Sequence, residues 1–332
     1  MDDRAGHHPA VIARQEGDRT GHLGGVEQTA EGLRQTLDEP EAGVRLYEPM
    51  GRHTTLKLGG PAQFWLEPST IAGLARVIQH CREQGLPYKV IGRGSNLLIR
   101  DGGLKGAVIH PEGGEFDQIE VQGDTIEAGV GVKFKRLAAA ARTAGLGGFE
   151  WMEGIPGSVG GGLRMNAGAM GTETFDQVVS VTVLDGNGSC QEKTREQFDV
   201  RYRSVPELTE HVAVKAVFRG TPAPLAEIDA RLALSLDKRK LSQPIAASAG
   251  CIFKNPELCG AGKLVDDLGL KGTRVGNAVV SLIHGNFIVN TGGAQTSDIL
   301  ALVEEIRDKA RRERGIEMEM EVKIIGEDEA TF

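Results

Sequence analysis

The sequence lacks any window near the roughly 18 uninterrupted apolar residues that a membrane-spanning helix requires, so no span is expected. Its opening residues, MDDRAGHHPAVIARQEGDRT, hold no apolar stretch of the ~7–15 residues that a secretory leader needs, and the cytoplasm is the expected location. Cysteine is sparse and irregular. Cys81, Cys190, Cys251 and Cys259 lie 109, 61 and 8 positions apart, which excludes both zinc-site spacing and the framework of a small disulfide-stapled fold. Free thiols and no metal are expected. Excess positive charge is missing too, and a net charge of -8 excludes a general nucleic-acid binder, whose affinity rests on clustered Lys and Arg. There is no fixed-period repeat, and the glycines follow no collagen triplet.

Glycine is what the chain has in excess: 46 of 332 residues, roughly twice the usual share. Something in the fold requires bare backbone. Acidic charge gathers at the start, where residues 1–48 carry five Arg against ten Asp and Glu. This stretch has no sustained apolar periodicity and is expected to be a disordered acidic extension, with at most a short amphipathic helix near Gln28–Leu37. His7 and His8 within it are read as incidental, and removal of residues 1–44 is expected to spare turnover.

From about Met50 the texture becomes one of strands, short helices and glycine turns. Ile71, Leu74, Val77, Ile78 and Cys81, with a Ser69/Thr70 cap and Gly85 as stop, predict a helix. Strand-like runs follow over 88–109, then hairpins over 119–130 and 178–192 flank a helix beginning near Val132. Pro222 and Pro224 place a unit boundary near residue 221, before a helix over about 225–240. In the last unit Ile299, Val303, Ile306 and Ala310 mark a helix capped by Ser297 and stopped by Gly315. One strand over 316–326 follows, with Glu317, Glu319, Glu321 and Lys323 on one face.

Two glycine-rich segments look built for chemistry. Gly92-Arg93-Gly94-Ser95-Asn96 lies between two strand-like runs, so it lacks the following helix of a Rossmann or Walker loop. Its bare backbone and its Ser and Asn donors suit an anion, or simply a tight turn. The second, GIPGSVGGGLRMNAGAMG over 154–171, holds seven glycines in 18 residues, with Ser158 and Asn166 as polar members. It is expected to form neither a standard helix nor a standard strand, and to wrap closely round a ligand. Together the two suit an extended diphosphate cofactor with an apolar ring nearby; the alternative is a glycine-rich surface loop with no ligand.

In order along the chain, GRGSNLLIRDGGLKGAVI, GIPGSVGGGLRMNAGAMG, SAGCIFKNP, AGKLVDDLGLKG and MEMEVKIIG resemble the UDP-N-acetylenolpyruvoylglucosamine reductase family of peptidoglycan precursor synthesis, over about residues 49–326. The resemblance implies an α+β fold: a two-lobed FAD-binding region of the vanillyl-alcohol-oxidase/PCMH type and a smaller α+β substrate domain. Lobe 1 would span 49–113, lobe 2 114–221 and the substrate domain 222–332, with strand 316–326 a candidate to return to lobe 1. It further implies that Gly92, Arg93, Gly94, Ser95 and Asn96, with Gly154, Ile155, Pro156, Gly157, Ser158, Gly161, Gly162, Asn166 and Gly168, hold FAD. GRGSN contains no histidine to attach the flavin, which is therefore expected to be non-covalent. NADPH is the implied reductant, passing a hydride by way of FAD to the terminal vinyl carbon of a UDP-sugar enolpyruvyl ether. The enolate so formed must be stabilised and protonated.

In the family a serine usually supplies that proton. Cys251 of SAGCIFKNP stands at its position and is the implied acid, with a thiol that also exposes the enzyme to oxidation and alkylation. Arg203, in Val200-Arg201-Tyr202-Arg203-Ser204, matches the arginine of a Tyr-Arg-x-Ser motif, although the serine here comes one position early. Glu321 matches the second glutamate of Leu-Glu-x-Glu-Val and needs burial or a like charge to raise its pKa. Asn255, Lys254 and Lys263 are the implied contacts to sugar and diphosphate, while His284 in HGNFIVN is read as packed rather than catalytic. The short stretch between Cys251 and the last helix resembles the form without a substrate-capping insertion. A UDP-sugar is the partner expected, with neither nucleic acid nor membrane. Two other classes stay open on the sequence: a flavin oxidase of hydroxy acids or sugars on the same fold, and a non-catalytic nucleotide-sugar binder.

Overall fold

Runs such as VRLYEP and PAQFWL pair because alternate side chains can be buried on one face of a sheet. In the computed structural model, which describes residues 24–37, 43–257 and 259–328, they open a four-stranded sheet. Its order is β1 (Val44–Pro49), β2 (Pro61–Leu66), β5 (Leu104–Ile109) and β3 (Tyr88–Val90). β1 runs antiparallel to β2, while β2 and β3 both run parallel to β5. The helix α2 (Ile71–Glu83) connects β2 to β3. Thr70 Oγ1 accepts the Gly73 N–H at 3.0 Å, Leu74, Val77, Ile78 and Cys81 are buried, and Gly85 turns the chain out at φ +61°.

The start of the chain departs from expectation. A helix, α1 (24–37), buries Val26, Ala30, Leu33 and Leu37 in one cluster with Leu74, Val77, Ile78 and Cys81. Arg76 ties it down through the Thr36 and Leu37 carbonyls at 3.0 and 2.6 Å. The disordered extension expected over 1–48 therefore does not hold for β1 or for 24–37, where the short amphipathic helix allowed near Gln28–Leu37 forms and begins at residue 24. The apolar stripe of α1 is thin and set among acids, so it is stable only against the face of α2. Residues 1–23 and 38–42, with His7 and His8, lie outside the described residues.

The second sheet is antiparallel throughout, in the order Cys190–Thr194, Val178–Leu184, Val212–Arg219, β7 (Thr125–Gly129) and β6 (Ile119–Gln122). The helix α3 (Phe134–Thr143) shares its core. Within the glycine-rich stretch 154–171, α4 (Val159–Met165) is a helix rather than the irregular loop expected, and Asn166 ends it in the left-handed conformation at φ +39°. A Cβ on Gly160 would stand 3.0 Å from Val130 Cβ, and one on Gly162 would stand 2.0 Å from Phe134 Cζ. Close approach of the helix to its neighbours, not irregular backbone, is what these glycines serve.

The boundary expected near residue 221 also moves. Thr221–Pro222 pairs with Leu146–Gly147, and the helix Leu225–Ser242 packs on the second lobe, where Ile228 is buried and Arg142 Nη2 donates to Asp229 Oδ2 at 2.9 Å. Pro224 caps that helix instead of marking a linker. The third core is drawn from residues 249–322, with Leu56, Leu58 and Leu98 contributed by the first lobe. It lies between the helix Thr296–Arg314 and an antiparallel sheet in the order Ala247–Ser248, Ile288–Asn290, Ala278–Val280, Arg274–Val275. Gln295, not Ser297, caps the helix in a box with Asp298, and Asp101 of the first lobe accepts the Thr296 and Ser297 N–H groups at 2.8 and 3.1 Å. The strand expected over 316–326 is shorter: Lys323–Ile325 pairs, in parallel, with β4 (Leu97–Ile99), and Met320 before it makes an isolated antiparallel bridge to Phe253.

Leu33 is fully buried, so Leu33→Ala should cost ~2–5 kcal/mol of unfolding free energy in a urea titration, the usual loss for a leucine in a core that cannot collapse. Removal of residues 1–44 should lower the midpoint at least as far. An unchanged midpoint in both cases would mean that α1 contributes nothing to the fold.

Candidate active site

Between the lobes lies a cavity of about 400 Å³, walled in part by Gly92 and Arg93 of the first glycine loop, and by Ser158, Gly160, Gly161 and Arg164. Bare backbone lets the walls come close. A Cβ on Gly92 would stand 2.9 Å from Ser158 Oγ, and one on Gly94, at φ +60°, would stand 2.1 Å from the His53 carbonyl oxygen. Arg93 Nε donates to the Pro156 carbonyl at 3.3 Å, clasping the two segments together. A Cβ on Gly161 would meet nothing within 4 Å, so that face of α4 is open to the cavity. Approachable backbone, a hydroxyl and two guanidinium groups fit the phosphates of a dinucleotide cofactor.

The other residues expected at the cofactor sit away from this wall. Asn96 turns instead to the segment of Glu321: its Nδ2 donates to the Glu321 carbonyl at 3.1 Å and its carbonyl accepts the Lys323 N–H at 3.0 Å. Asn166 Nδ2 donates to Glu173 Oε2 at 2.6 Å, and the Asn166 and Gly168 carbonyls accept from the Arg203 guanidinium at 3.5 and 3.4 Å. Ser95 Oγ would lie 3.8 Å from a Cβ on Gly157. The Ile155 N–H closes a turn on Met152 at 3.1 Å, and Gly154 carries Arg239 against it, Nη1 donating to the Gly154 carbonyl at 3.4 Å.

A second cluster forms where residues 251–254 run antiparallel to 319–322. The Glu321 N–H donates to the Ile252 carbonyl and the Lys254 N–H to the Glu319 carbonyl, both at 2.8 Å, which sets Glu321 beside Cys251. Arg203 reaches them from the second lobe, out of a tight turn that Arg201 and Ser204 close with reciprocal backbone hydrogen bonds of 2.9 and 3.2 Å. Arg203 itself adopts φ +58°, a left-handed conformation that accommodates the early serine at some backbone strain. Its Nε donates to Glu321 Oε1 at 2.8 Å, and its guanidinium stands 4.8 Å over the Tyr202 ring. The two paired side chains are 17% and 15% exposed, so water screens them little.

Burial raises the Glu321 carboxyl above the ordinary glutamate range, against the opposing pull of Arg203. Burial and then the Glu321 charge push the Cys251 thiol up to about 12, so it stays protonated at neutral pH. Such burial argues against the expected openness to alkylation, since thiolate is the reactive form. A protonated, partly buried thiol holds a proton ready for a strong carbon base.

Of the expected substrate contacts, Lys254 adds its charge to the surroundings of Glu321 while pairing with Glu319 at 2.5 Å. Asn255 Oδ1 accepts the Ala261 N–H at 3.0 Å and so caps the helix Ala261–Asp267, and the exposed Lys263 pairs with Asp267 at 2.7 Å. Two residues that the sequence reading passed over belong to the Cys251 cluster. Arg239 sits in a Lys-Arg-Lys run that looks like a solvated face, yet its Nε is buried without a hydrogen-bond partner and its charge acts on Cys251. Asn286, of the HGNFIVN segment, holds the two residues after Cys251, its side chain bonded to the Phe253 N–H and carbonyl at 2.9 and 2.7 Å and its own carbonyl to the Ile252 N–H at 2.9 Å. His284 of that segment packs edge-on against Phe287 at 5.0 Å, its Nδ1 accepting the Asn286 N–H at 3.2 Å, and burial holds its pKa down.

That the cavity belongs to a flavoenzyme follows from residues 62–193, which match the family model of an FAD binding domain. Residues 242–325 match the model of the UDP-N-acetylenolpyruvoylglucosamine reductase C-terminal domain, beginning where the helix on the second lobe ends. Reductases of that name from Geobacter metallireducens and Bacillus subtilis are 41% and 39% identical, over 85% and 88% of this chain and 93% and 97% of theirs. The crystal structure of the Thermus caldophilus enzyme matches at a TM-score of 0.74 and 36% identity, covering 86% of this chain and 98% of that one. The chain belongs to the UDP-N-acetylenolpyruvoylglucosamine reductase family, and FAD is its cofactor.

Gly161→Ala should leave the melting midpoint of the apoprotein unchanged or raised while weakening FAD binding in a fluorescence titration. Gly162→Ala, which meets Phe134, should instead cost ~1–3 kcal/mol of stability. Iodoacetamide at neutral pH should label the exposed Cys190 and leave Cys251 and turnover intact. Labelling of Cys251 at a comparable rate would mean that its thiol ionises as readily as that of Cys190, which burial and Glu115 raise in their turn.

Proposed function

We propose that the protein reduces the enolpyruvyl group of UDP-N-acetylglucosamine enolpyruvate to give UDP-N-acetylmuramate, with NADPH as reductant, in peptidoglycan precursor synthesis. The observation that carries this reading is the Arg203–Glu321 pair, at 2.8 Å, beside a thiol held protonated. When bound, FAD would supply the relay of a hydride between NADPH and the vinyl carbon. What remains for the chain is to hold the substrate, stabilise the charge that develops at its carboxylate end, and deliver one proton.

Arg203 takes the developing enolate, its planar fork held in place by Glu321 on one side and Tyr202 on the other. Cys251 gives its proton to the carbon next to the carboxylate. Such a carbon is a far stronger base than a thiolate, so even a thiol raised to about 12 transfers its proton downhill. Arg239, whose Nε has no partner, offers a further cation to the anionic substrate. Lys254 and Asn255 are the candidate contacts to sugar and diphosphate, and Lys263 joins them only by leaving Asp267. Among the described residues no helix is long and apolar enough to cross a membrane; the cytoplasm, where NADPH and nucleotide sugars are found, is the proposed location.

NADPH oxidation by the purified yellow protein should accelerate when UDP-N-acetylglucosamine enolpyruvate is added, and no acceleration would sink the reading. Cys251→Ala should keep flavin reduction by NADPH and slow reoxidation by the substrate at least ~100-fold, as expected for loss of a general acid. If both half-reactions survive, Cys251 is not the acid. Fast reoxidation by oxygen in place of the substrate would favour an oxidase.

A further inference from the structure

Glu321 holds only the Nε side of Arg203; the two other guanidinium nitrogens lie over a hairpin of their own lobe. In that hairpin Gly168–Ala169 pairs with Thr172–Glu173, and Met170 and Gly171 make the turn at φ +58° and +84°. Asn166, the buried residue that ends α4, locks its base: Oδ1 accepts the Phe175 N–H at 3.1 Å and Nδ2 donates to Glu173 Oε2 at 2.6 Å. The Asn166 and Gly168 carbonyls meet Arg203 Nη1 and Nη2 at 3.5 and 3.4 Å, too long to be strong bonds. The other oxygen of Glu173, Oε1, stands 3.8 Å from Nη1. One carboxylate therefore bridges the end of the helix that lines the cofactor cavity and the cation at the reacting end. Neither Asn166 nor the Asp176 N–H, which the Glu173 side chain also accepts, needs a formal charge, since an uncharged acceptor would serve either. The ion pair formed by that charge is the one with Arg203.

We propose that Glu173 is a positioning residue for the reduction: its carboxylate, fixed by Asn166 to the end of α4, holds the Nη edge of Arg203 over the hairpin while the substrate binds. The proposal rests on the reading of Arg203 as the group that takes the enolate. A substrate carboxylate competes with Glu321 for the same guanidinium. Were Glu321 the only anchor, Arg203 would follow whichever anion drew it harder, through the many rotamers of its long side chain. A second counter-charge on a tight hairpin opposes that movement, and because it binds Asn166 as well, the guanidinium keeps one place relative to α4. The pair is weak by its distance and by the 35% exposure of Glu173, so it does not withhold the cation from the substrate. No bond is made or broken at Glu173. Its contribution is geometric: a cation already held where negative charge develops needs no rearrangement at the moment of transfer.

Glu173→Gln keeps the length of the side chain and an acceptor for Asn166, and removes the charge. In the FAD-loaded enzyme the melting midpoint and flavin reduction by NADPH should stay close to those of the unaltered protein. Reoxidation by saturating UDP-N-acetylglucosamine enolpyruvate should slow at least ~10-fold, within the ~100-fold that misplacement by ~1 Å costs. KM should change less than kcat. Glu173→Asp, which restores the charge on a shorter side chain, should recover part of the rate. In an Arg203→Ala background Glu173→Gln should slow the second half-reaction no further, because the cation it places is gone. Slowing by the same factor in that background would assign Glu173 to the hairpin alone and overturn the proposal, as would unimpaired reoxidation in Glu173→Gln. So would a loss of melting midpoint or of FAD affinity as large in Glu173→Gln as in Glu173→Ala, because the carboxylate would then serve the fold. If Arg203→Ala leaves reoxidation unimpaired, the reading of Arg203 itself fails and takes this inference with it; if Arg203→Ala is slow and Glu173→Gln is not, the inference fails alone.

Discussion

The chemistry of the molecule hangs on two backbone hydrogen bonds, Glu321 N–H to Ile252 and Lys254 N–H to Glu319, each 2.8 Å long. They lay the segment before Lys323 against the segment after Cys251 and so set Glu321 beside the thiol. Once there, Glu321 becomes the meeting point of all three units. Arg203 of the second lobe pairs with its side chain, Asn96 of the first lobe holds its carbonyl, and Ile252 of the third holds its amide. Because the pair with Arg203 is mostly out of water, neither partner can be removed without leaving a buried charge, a loss of ~3–5 kcal/mol for such pairs. Glu173, 3.8 Å from the guanidinium, supplies a weaker second counter-charge that keeps Arg203 oriented from the lobe it comes from.

Burial does two things at that point which at first look opposed. It holds the Cys251 thiol in its protonated form and so makes it unreactive toward electrophiles, yet an enolate is basic enough to take a proton from it. A serine at the same place would be a weaker acid still. The site thus gains acidity from sulfur without the usual chemical liability of an ionised cysteine, provided that water and anions stay away from it. Arg203, Arg239 and Asn286 all pull the other way and limit how far the thiol is driven up.

Much of this was legible in the residues. The helix around Leu74 and Val77 and the alternation of Met318, Met320 and Val322 were readable because local period and burial agree. The proposed triad of Cys251, Arg203 and Glu321 came only from the resemblance of its motifs, since period alone cannot separate Glu321 from Glu317 or Glu319; the structure brings Arg203 and Glu321 together at 2.8 Å. What was not legible depends on partners distant in sequence. A short amphipathic helix near Gln28–Leu37 was legible in the residues, but that it is docked and begins at residue 24 depends on α2 packed against it. Gly160, Gly161 and Gly162 argue against a helix by propensity, and only Val130 and Phe134, packed beneath them, explain why a helix is there. Arg239 resembles a surface charge until the turn at Gly154 covers it, and Asn286 resembles a turn former until Phe253 is seen between its two polar ends.

The parallel pairing of Leu97–Ile99 with Lys323–Ile325 has a consequence for how the protein comes into being. Asn96, the last residue of the first glycine loop, and its partner Glu321 are 225 positions apart, so the contact is among the most non-local in the molecule. Such closures form late, after local hairpins and helices. On the ribosome both lobes can collapse while the loop beside β4 still lacks its neighbour, and that neighbour arrives only with the residues that carry Glu321. The cluster of Cys251, Arg203 and Glu321 is thereby completed only when the residues near the end of the chain have been made, whichever of the earlier elements have already formed.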